Sequence, residues 1–281
     1  MGVIGAVRGY VEVTRPGNAL AAGVLTFTGA FVAGGVFAAP ELVLVAVAAT
    51  VLATGGGNVI NDYFDREIDE VNRPNRPIPR GAVSPRAAIA ETAGLFAGAV
   101  GLAILLPRTA IIIAVVNLLL LLAYTELFKG IPGVGNLVVA SLTGSTFLFG
   151  GAAVGDPLGA VVLCLLAGLA TLAREVIKDV EDVEGDRQQG LSTLPIAAGT
   201  RVALWTALAC LSVAVVASSV PYLDGTFGVV YAAAVVPADA VMLTAAWRAF
   251  DNPAIGQRRL KLGMYVAIAA FLLGRAVSIV N

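Results

Sequence analysis

Two segments of the chain gather carboxylates at the ends of apolar runs, Asn58-Val-Ile-Asn-Asp-Tyr-Phe-Asp-Arg-Glu-Ile-Asp69 and Glu175-Val-Ile-Lys-Asp-Val-Glu-Asp-Val-Glu-Gly-Asp186. On a helix turning about 100° per residue, Asn58, Asp62, Asp65 and Asp69 fall within roughly a 60° arc, and so do Glu175, Asp179, Asp182 and Asp186. Each segment is therefore expected to present one acidic stripe on one helix. Like charges stacked on a helix face repel, so two such stripes call for a compensating cation or a basic partner. Mg²⁺ bridging a diphosphate meets that need, because it favours carboxylate, water and phosphate oxygens over an all-protein cage. All eight stripe residues are candidate ligands, Asp62, Asp65, Asp69, Asp182 and Asp186 foremost among them and the ones expected to be catalytic. The sequence holds no histidine, which excludes His-based acid/base chemistry and His-ligated metal sites.

The elements that must carry these stripes are membrane helices. Hydrophobic residues are 58% of the chain and charged residues 13%, against about 25% charged in an average soluble domain. Nine apolar runs approach the length of a bilayer-crossing helix, approximately 19–38, 42–60, 87–106, 109–125, 134–154, 157–174, 202–220, 227–247 and 262–280. The expected fold is all-α, with nine transmembrane helices around a central cavity, residues 1–281 forming one domain. Because the stripes end the second and sixth runs, the helices read as two four-helix pseudo-repeats with one helix appended. The first run lacks a convincing cleavage site and is read as a retained helix.

Lysine and arginine fall almost wholly in the N-terminus and alternate loops, leaving Arg108 and Arg275 towards the other side. The positive-inside rule then puts the N-terminus and both stripes at the cytoplasmic face of the cell membrane, and the C-terminus outside. The polar segments after each stripe, 70–85 and 187–200, are too long for tight turns and are expected to cap a cytoplasmic opening. Cys164 and Cys210 lie in separate apolar runs and imply no disulfide framework. Nothing indicates nucleic-acid binding or an obligate protein partner.

Other residues have plainer readings. Gly55-Gly-Gly57 lacks the Lys-Ser/Thr of a phosphate loop and fits close helix packing. Asp239, within an apolar run beside Pro237, is a functional candidate by position, equally read as part of a kink or as a partner of Arg275. Lys129 and Lys178 are the preferred diphosphate contacts, since cations offset a leaving diphosphate. Arg73, Arg76 and Arg80 suit either phosphates or an anionic lipid surface.

The first acidic segment resembles the NDxxDxxxD signature of UbiA-type intramembrane prenyltransferases, matched by Asn61, Asp62, Asp65 and Asp69. The family's DxxxD signature is met by Asp182 and Asp186, with Glu175 at the place of a further acid. The resemblance covers essentially the whole chain. Arg73-Pro-Asn-Arg-Pro-Ile-Pro-Arg-Gly81, the segment Arg174–Arg187 and Thr193-Leu-Pro195 are most similar to the archaeal, ether-lipid branch. The resemblance implies Mg²⁺ as cofactor, a prenyl diphosphate donor and a lipid-phosphate acceptor, with Arg15, Asn61, Arg73, Arg76, Tyr124, Lys129 and Lys178 around them. It implies transfer of a geranylgeranyl group to the free hydroxyl of geranylgeranylglyceryl phosphate. Relatives with aromatic or tetrapyrrole acceptors also carry Arg-Pro-rich loops. CDP-alcohol phosphotransferases would need a DGxxAR element, which is absent here, and a cation transporter would place its acids near the midplane.

Overall fold

A computed structural model describes residues 3–128, 131–188 and 190–280, leaving aside the side chains of residues 3–6, 125 and 126. Every described regular element is helical: α1 (Val3–Val13), α2 (Pro16–Val32), α3 (Pro40–Phe64), α4 (Arg66–Asn72), α5 (Pro85–Ala103), α6 (Arg108–Ala123), α7 (Val134–Ala153), α8 (Val161–Gln188), α9 (Leu194–Ala198), α10 (Thr200–Ala217), α11 (Val220–Leu223), α12 (Val229–Arg248) and α13 (Pro253–Val280). A π-helical turn, Tyr124–Phe128, extends α6, and a 3₁₀ turn, Leu158–Ala160, precedes α8.

Proline opens α2, α3 and α5, where its missing N–H is lost anyway and its fixed φ suits the first turn. Ser84 caps α5 by accepting the Ala87 N–H at 3.2 Å, satisfying one of the otherwise unpaired first-turn donors.

All nine apolar runs are helical, but among the described residues seven helices are long and apolar enough to cross a bilayer. The first and fourth runs are shorter than expected, at 17 and 16 residues. The chain turns after α2 through Gly34, whose φ of 87° glycine adopts readily, and α6 lies between Pro107 and the π turn. Leu44, Ile112, Val216 and Val236 stand exposed on these helices, as a bundle solvated by lipid requires.

Packing runs in order through the bundle. α2, α3 and α5 pack in sequence, as do α7, α8, α10 and α12; α2 and α6 meet α7, and α13 joins α12, α8 and α2. The α2–α7 contact is backbone to backbone: a β-carbon added at Gly29 would overlap the Phe147 carbonyl, and one at Gly150 the Thr26 carbonyl. Small residues permit such close approach, through which membrane helices gain dispersion contacts. Gly55, Gly56 and Gly57 are buried, with Phe96 against Gly56 and Leu121 against Gly57. That is the packing role expected of them.

The segment between α4 and α5 is seated. Ile78 and Val83 are buried with Val13, Val59 and Ala88, and Arg80 donates to both carboxylate oxygens of Glu12 at 2.9 and 2.7 Å. The guanidinium holds the Glu12 carboxyl below its ordinary range, because hydrogen bonds to the charged form favour it.

Candidate active site

The first acidic segment lies on two helices and not on the one expected of it. α3 ends at Phe64, and Asp65, at φ −81° and ψ 0°, joins it to the short α4. Arg66 donates to the Tyr63 carbonyl at 3.0 Å, satisfying an acceptor at this joint. Asp62 and Asp69, on either side of the joint, share one cation: Arg76 reaches Asp62 at 3.2 Å and also binds Asp69. Arg15 binds the same oxygen of Asp62. Both carboxylates are buried, so the compensating charge here is arginine. Arg15 itself has φ 49°, the one positive value at a non-glycine residue among those described. The following Pro16 disfavours the right-handed helical alternative. A strained backbone of this kind costs about 1–3 kcal/mol and persists where surrounding contacts enforce it, here through Asp62.

The second segment keeps its expected form. Glu175, Asp179, Asp182 and Asp186 lie on the unbroken α8. Glu175 is buried and paired with Arg174 and, at 3.6 Å, with Lys178. Asn136, buried in α7, donates to Asp179 at 2.7 Å. Asp182 is exposed; Asp65 and Asp186 are half-buried. Tyr124 lies within electrostatic reach of Asp65 from the first segment and of Glu175 and Asp179 from the second, so the two acidic segments converge on the π turn. Such turns are frequent at functional sites.

A cavity of about 1050 Å³ opens beside this convergence, at the upper end of the roughly 300–1,000 Å³ usual for small-molecule sites. Its polar end includes Asn18, Asn58, Asn61, Tyr124 and Arg174, and its walls are mostly apolar, among them Leu118, Leu142, Phe147 and Leu166. Asn58 donates to the Thr14 carbonyl at 2.8 Å and accepts from Asn18 at 3.3 Å. The Asn61 Oδ1 atom is buried without a hydrogen-bond partner. Asp62 instead borders a second opening of about 510 Å³, with Glu12, Arg15, Arg73 and Arg76.

Three acidic, histidine or cysteine side chains placed to hold an ion by themselves are not found among the described residues. Mg²⁺ commonly takes one or two carboxylates plus phosphate oxygens and water, and the donor set here, carboxylates with the unpartnered Asn61 oxygen, is the hard-oxygen kind it prefers. The residues therefore fit a substrate-bridging ion. Lys129 lies outside the described residues.

Sequence reasoning missed Asn136 and the Glu12–Arg80 tie. An amide in an otherwise apolar helix is a signal for the first; nothing local marks the second. Asp239, in α12, lines the cavity, and its carboxyl pairs with the Ser218 hydroxyl at 2.7 Å. Ser218 takes the place considered for Arg275, which lies against Gly34.

A helical membrane bundle with two acidic segments converging at one end of an apolar cavity defines an intramembrane transferase architecture. The chain belongs to the UbiA prenyltransferase family, whose pattern matches residues 22–272. Among individual proteins, it is 59% identical to digeranylgeranylglyceryl phosphate synthase of Haloquadratum walsbyi, over 98% of this chain and 97% of that one. It is 60% identical to the enzyme of that name from Natronomonas pharaonis, over 96% and 97%. A solved structure concerned with digeranylgeranylglyceryl phosphate synthase in membranes superposes with a TM-score of 0.86 at 31% identity, covering 96% of this chain and 98% of that one. A UbiA homologue from Archaeoglobus fulgidus bound to GPP and Mg²⁺ shares the fold at a TM-score of 0.69 and 14% identity, over 95% and 99%.

Proposed function

We propose that this protein transfers a geranylgeranyl group from geranylgeranyl diphosphate to the free hydroxyl of geranylgeranylglyceryl phosphate, forming the second ether bond of archaeal membrane lipids. The observation carrying this reading is the apolar cavity of about 1050 Å³ whose polar end adjoins both acidic segments. It offers room for isoprenoid tails and a charged end for phosphates. The acceptor class is supported by relatives of about 60% identity that carry the corresponding name.

In this reading α2 and α6 also cross the membrane, giving nine spans in two four-helix repeats, α2, α3, α5, α6 and α7, α8, α10, α12, with α13 appended. The charged end faces the cytoplasm, in keeping with the arginine and lysine asymmetry. Asp62, Asp65 and Asp69 from one repeat and Asp182 and Asp186 from the other, with Asn61, Glu175 and Asp179 near by, would hold Mg²⁺ against the diphosphate. When bound, the ion neutralises charge on the leaving group.

The remaining work falls to the chain. Arg15 and Arg76 hold Asp62 and Asp69 in place, Asn136 fixes Asp179, and Arg174 and Lys178 flank Glu175. As the C1–O bond of the donor breaks, its electron pair leaves with the diphosphate, and positive charge develops on the allylic carbon. Apolar walls exclude water from that carbon. The acceptor hydroxyl forms the new C–O bond, and its proton passes to an oxygen base at the polar end, a carboxylate or the released diphosphate. An aliphatic hydroxyl is a weak nucleophile, so the site must hold it close to C1.

Purified protein with Mg²⁺ should convert geranylgeranyl diphosphate and geranylgeranylglyceryl phosphate to the diether and leave 4-hydroxybenzoate untouched. Prenylation of an aromatic acid or a tetrapyrrole alcohol, with the glyceryl phosphate unused, would overturn the acceptor assignment. The family membership would stand.

A further inference from the structure

Both substrates in the proposed reaction are anions, whereas the acidic segments with Mg²⁺ account for only one. The described cations near those segments are largely engaged: Arg15 and Arg76 bind Asp62 and Asp69, Arg80 binds Glu12, and Arg174 and Lys178 bind Glu175. Of the two cationic side chains lining the large cavity, Arg174 and Lys261, Lys261 alone has no carboxylate within ion-pair distance among the described residues. Its ammonium lies 5.9 Å from the centre of the Tyr265 ring, its neighbour one turn along α13.

The placement is defined by the helix. Lys261, Met264, Tyr265, Ile268 and Phe271 all line the cavity, a spacing that marks one helix face. Gln257, one turn before Lys261, donates to Glu181 on α8 at 3.2 Å. Glu181 adjoins Asp182, so this bond anchors α13 to the second acidic segment and sets Lys261 about 6 Å further along the helix axis. Lys261 is exposed, so its ammonium is open to an entering anion, and a phosphate held away from the carboxylates escapes their repulsion.

We propose that Lys261 binds the phosphate monoester of the lipid acceptor and so selects phosphorylated acceptors; this rests on the function proposed above. Lysine presents three donors on a flexible stem, suited to a phosphate as a compact point charge. Tyr265 supports the ammonium from beneath.

The test uses the purified full chain in neutral detergent with Mg²⁺, comparing wild type, Lys261→Gln and Lys261→Arg. Lys261→Gln should raise the KM for geranylgeranylglyceryl phosphate about 10- to 100-fold, the range for losing one charge-assisted hydrogen bond. The KM for geranylgeranyl diphosphate should stay within about twofold of wild type, which also reports an intact fold, and Lys261→Arg should recover most of the loss. With geranylgeranylglycerol, which lacks the phosphate, wild type and Lys261→Gln should have equal kcat/KM. An unchanged acceptor KM would overturn the inference, as would an equal rise in donor KM, which would assign Lys261 to the diphosphate. A defect seen only in vesicles of anionic lipid would identify Lys261 as a contact for membrane headgroups and overturn it too. Wild-type protein inert towards geranylgeranylglyceryl phosphate would refute the function itself; an active wild type with a normal Lys261→Gln variant refutes the lysine assignment alone.

Discussion

Replacing Arg76 with methionine removes the cation that touches two buried carboxylates at once. The Asp62 and Asp69 side chains are 3% and 6% exposed, so water cannot take over from the guanidinium without rearrangement. At 3.2 Å and an effective dielectric near 20, one unit-charge pair attracts by about 5 kcal/mol. Desolvation offsets much of that in the intact pair, but deleting one partner of a buried pair costs about 3–5 kcal/mol. Arg15 still holds Asp62, which favours the lower part of the range. At roughly 2–4 °C per kcal/mol for a chain of this size, Arg76→Met should lower the unfolding midpoint by about 6–15 °C. The assay is thermal unfolding in detergent followed by tryptophan fluorescence. Two further readouts tie the loss to the carboxylates. Adding Asp62→Asn and Asp69→Asn to Arg76→Met should recover part of the midpoint, and Mg²⁺ should raise the midpoint of Arg76→Met more than that of wild type. A midpoint within about 2 °C of wild type, or a loss that neutralising both aspartates fails to relieve, would refute the reasoning.

Asp65→Asn and Asp182→Asn should each lower turnover by at least about 10²–10³-fold, the scale for losing one electrostatic group at a reacting centre, with unfolding midpoints near wild type; near-native activity in both purified variants would remove these residues from the site. Gly150→Ala should destabilise by about 1–3 kcal/mol through overpacking, whereas Gly94→Ala, where an added β-carbon meets nothing within 4 Å, should be neutral or stabilising in the same unfolding assay. The Glu12 carboxyl is held below its ordinary 4.5, so the tie to Arg80 stabilises the fold above that value and is lost as pH falls through the folded-state value. Proteolysis of the 70–85 segment should therefore speed up at acid pH, and Glu12→Gln should show the faster cleavage already at pH 6 and little further acceleration at acid pH. A cysteine at Ser84 should be labelled from the cytoplasm and one at Gly155 only from outside; the reverse pattern would invert the orientation.

Composition and periodicity made the helical membrane class readable because apolar runs of this length have few alternatives in lipid. The second acidic segment was legible for a similar reason: α8 continues unbroken through Gln188, so angular spacing maps directly onto one face. The first was legible in its residues but not in its shape. Its carboxylates are drawn to Arg15 and Arg76, and these pairings join parts of the chain 47 and 14 residues apart; no local pattern carries that information. The short α2 shows a different limit. Hydropathy continues past Val32, but the chain turns at Gly34, and a composition window does not resolve a backbone turn. Asn136 was overlooked because an isolated amide reads as noise in an apolar run until its partner on another helix is known.

The glycine contacts between α2 and α7 have a bearing on variation within the family. Where main chain rests on main chain, as at Gly29 with Phe147 and Gly150 with Thr26, no choice of rotamer or side-chain size can draw the two helices closer, and any added atom forces them apart. The contact works as a keyed joint that sets the gauge of the frame around the cavity. Tailoring to a longer, shorter or differently shaped substrate is then confined to the residues that line the space within the frame, and a substitution at the joint would alter every wall distance at once.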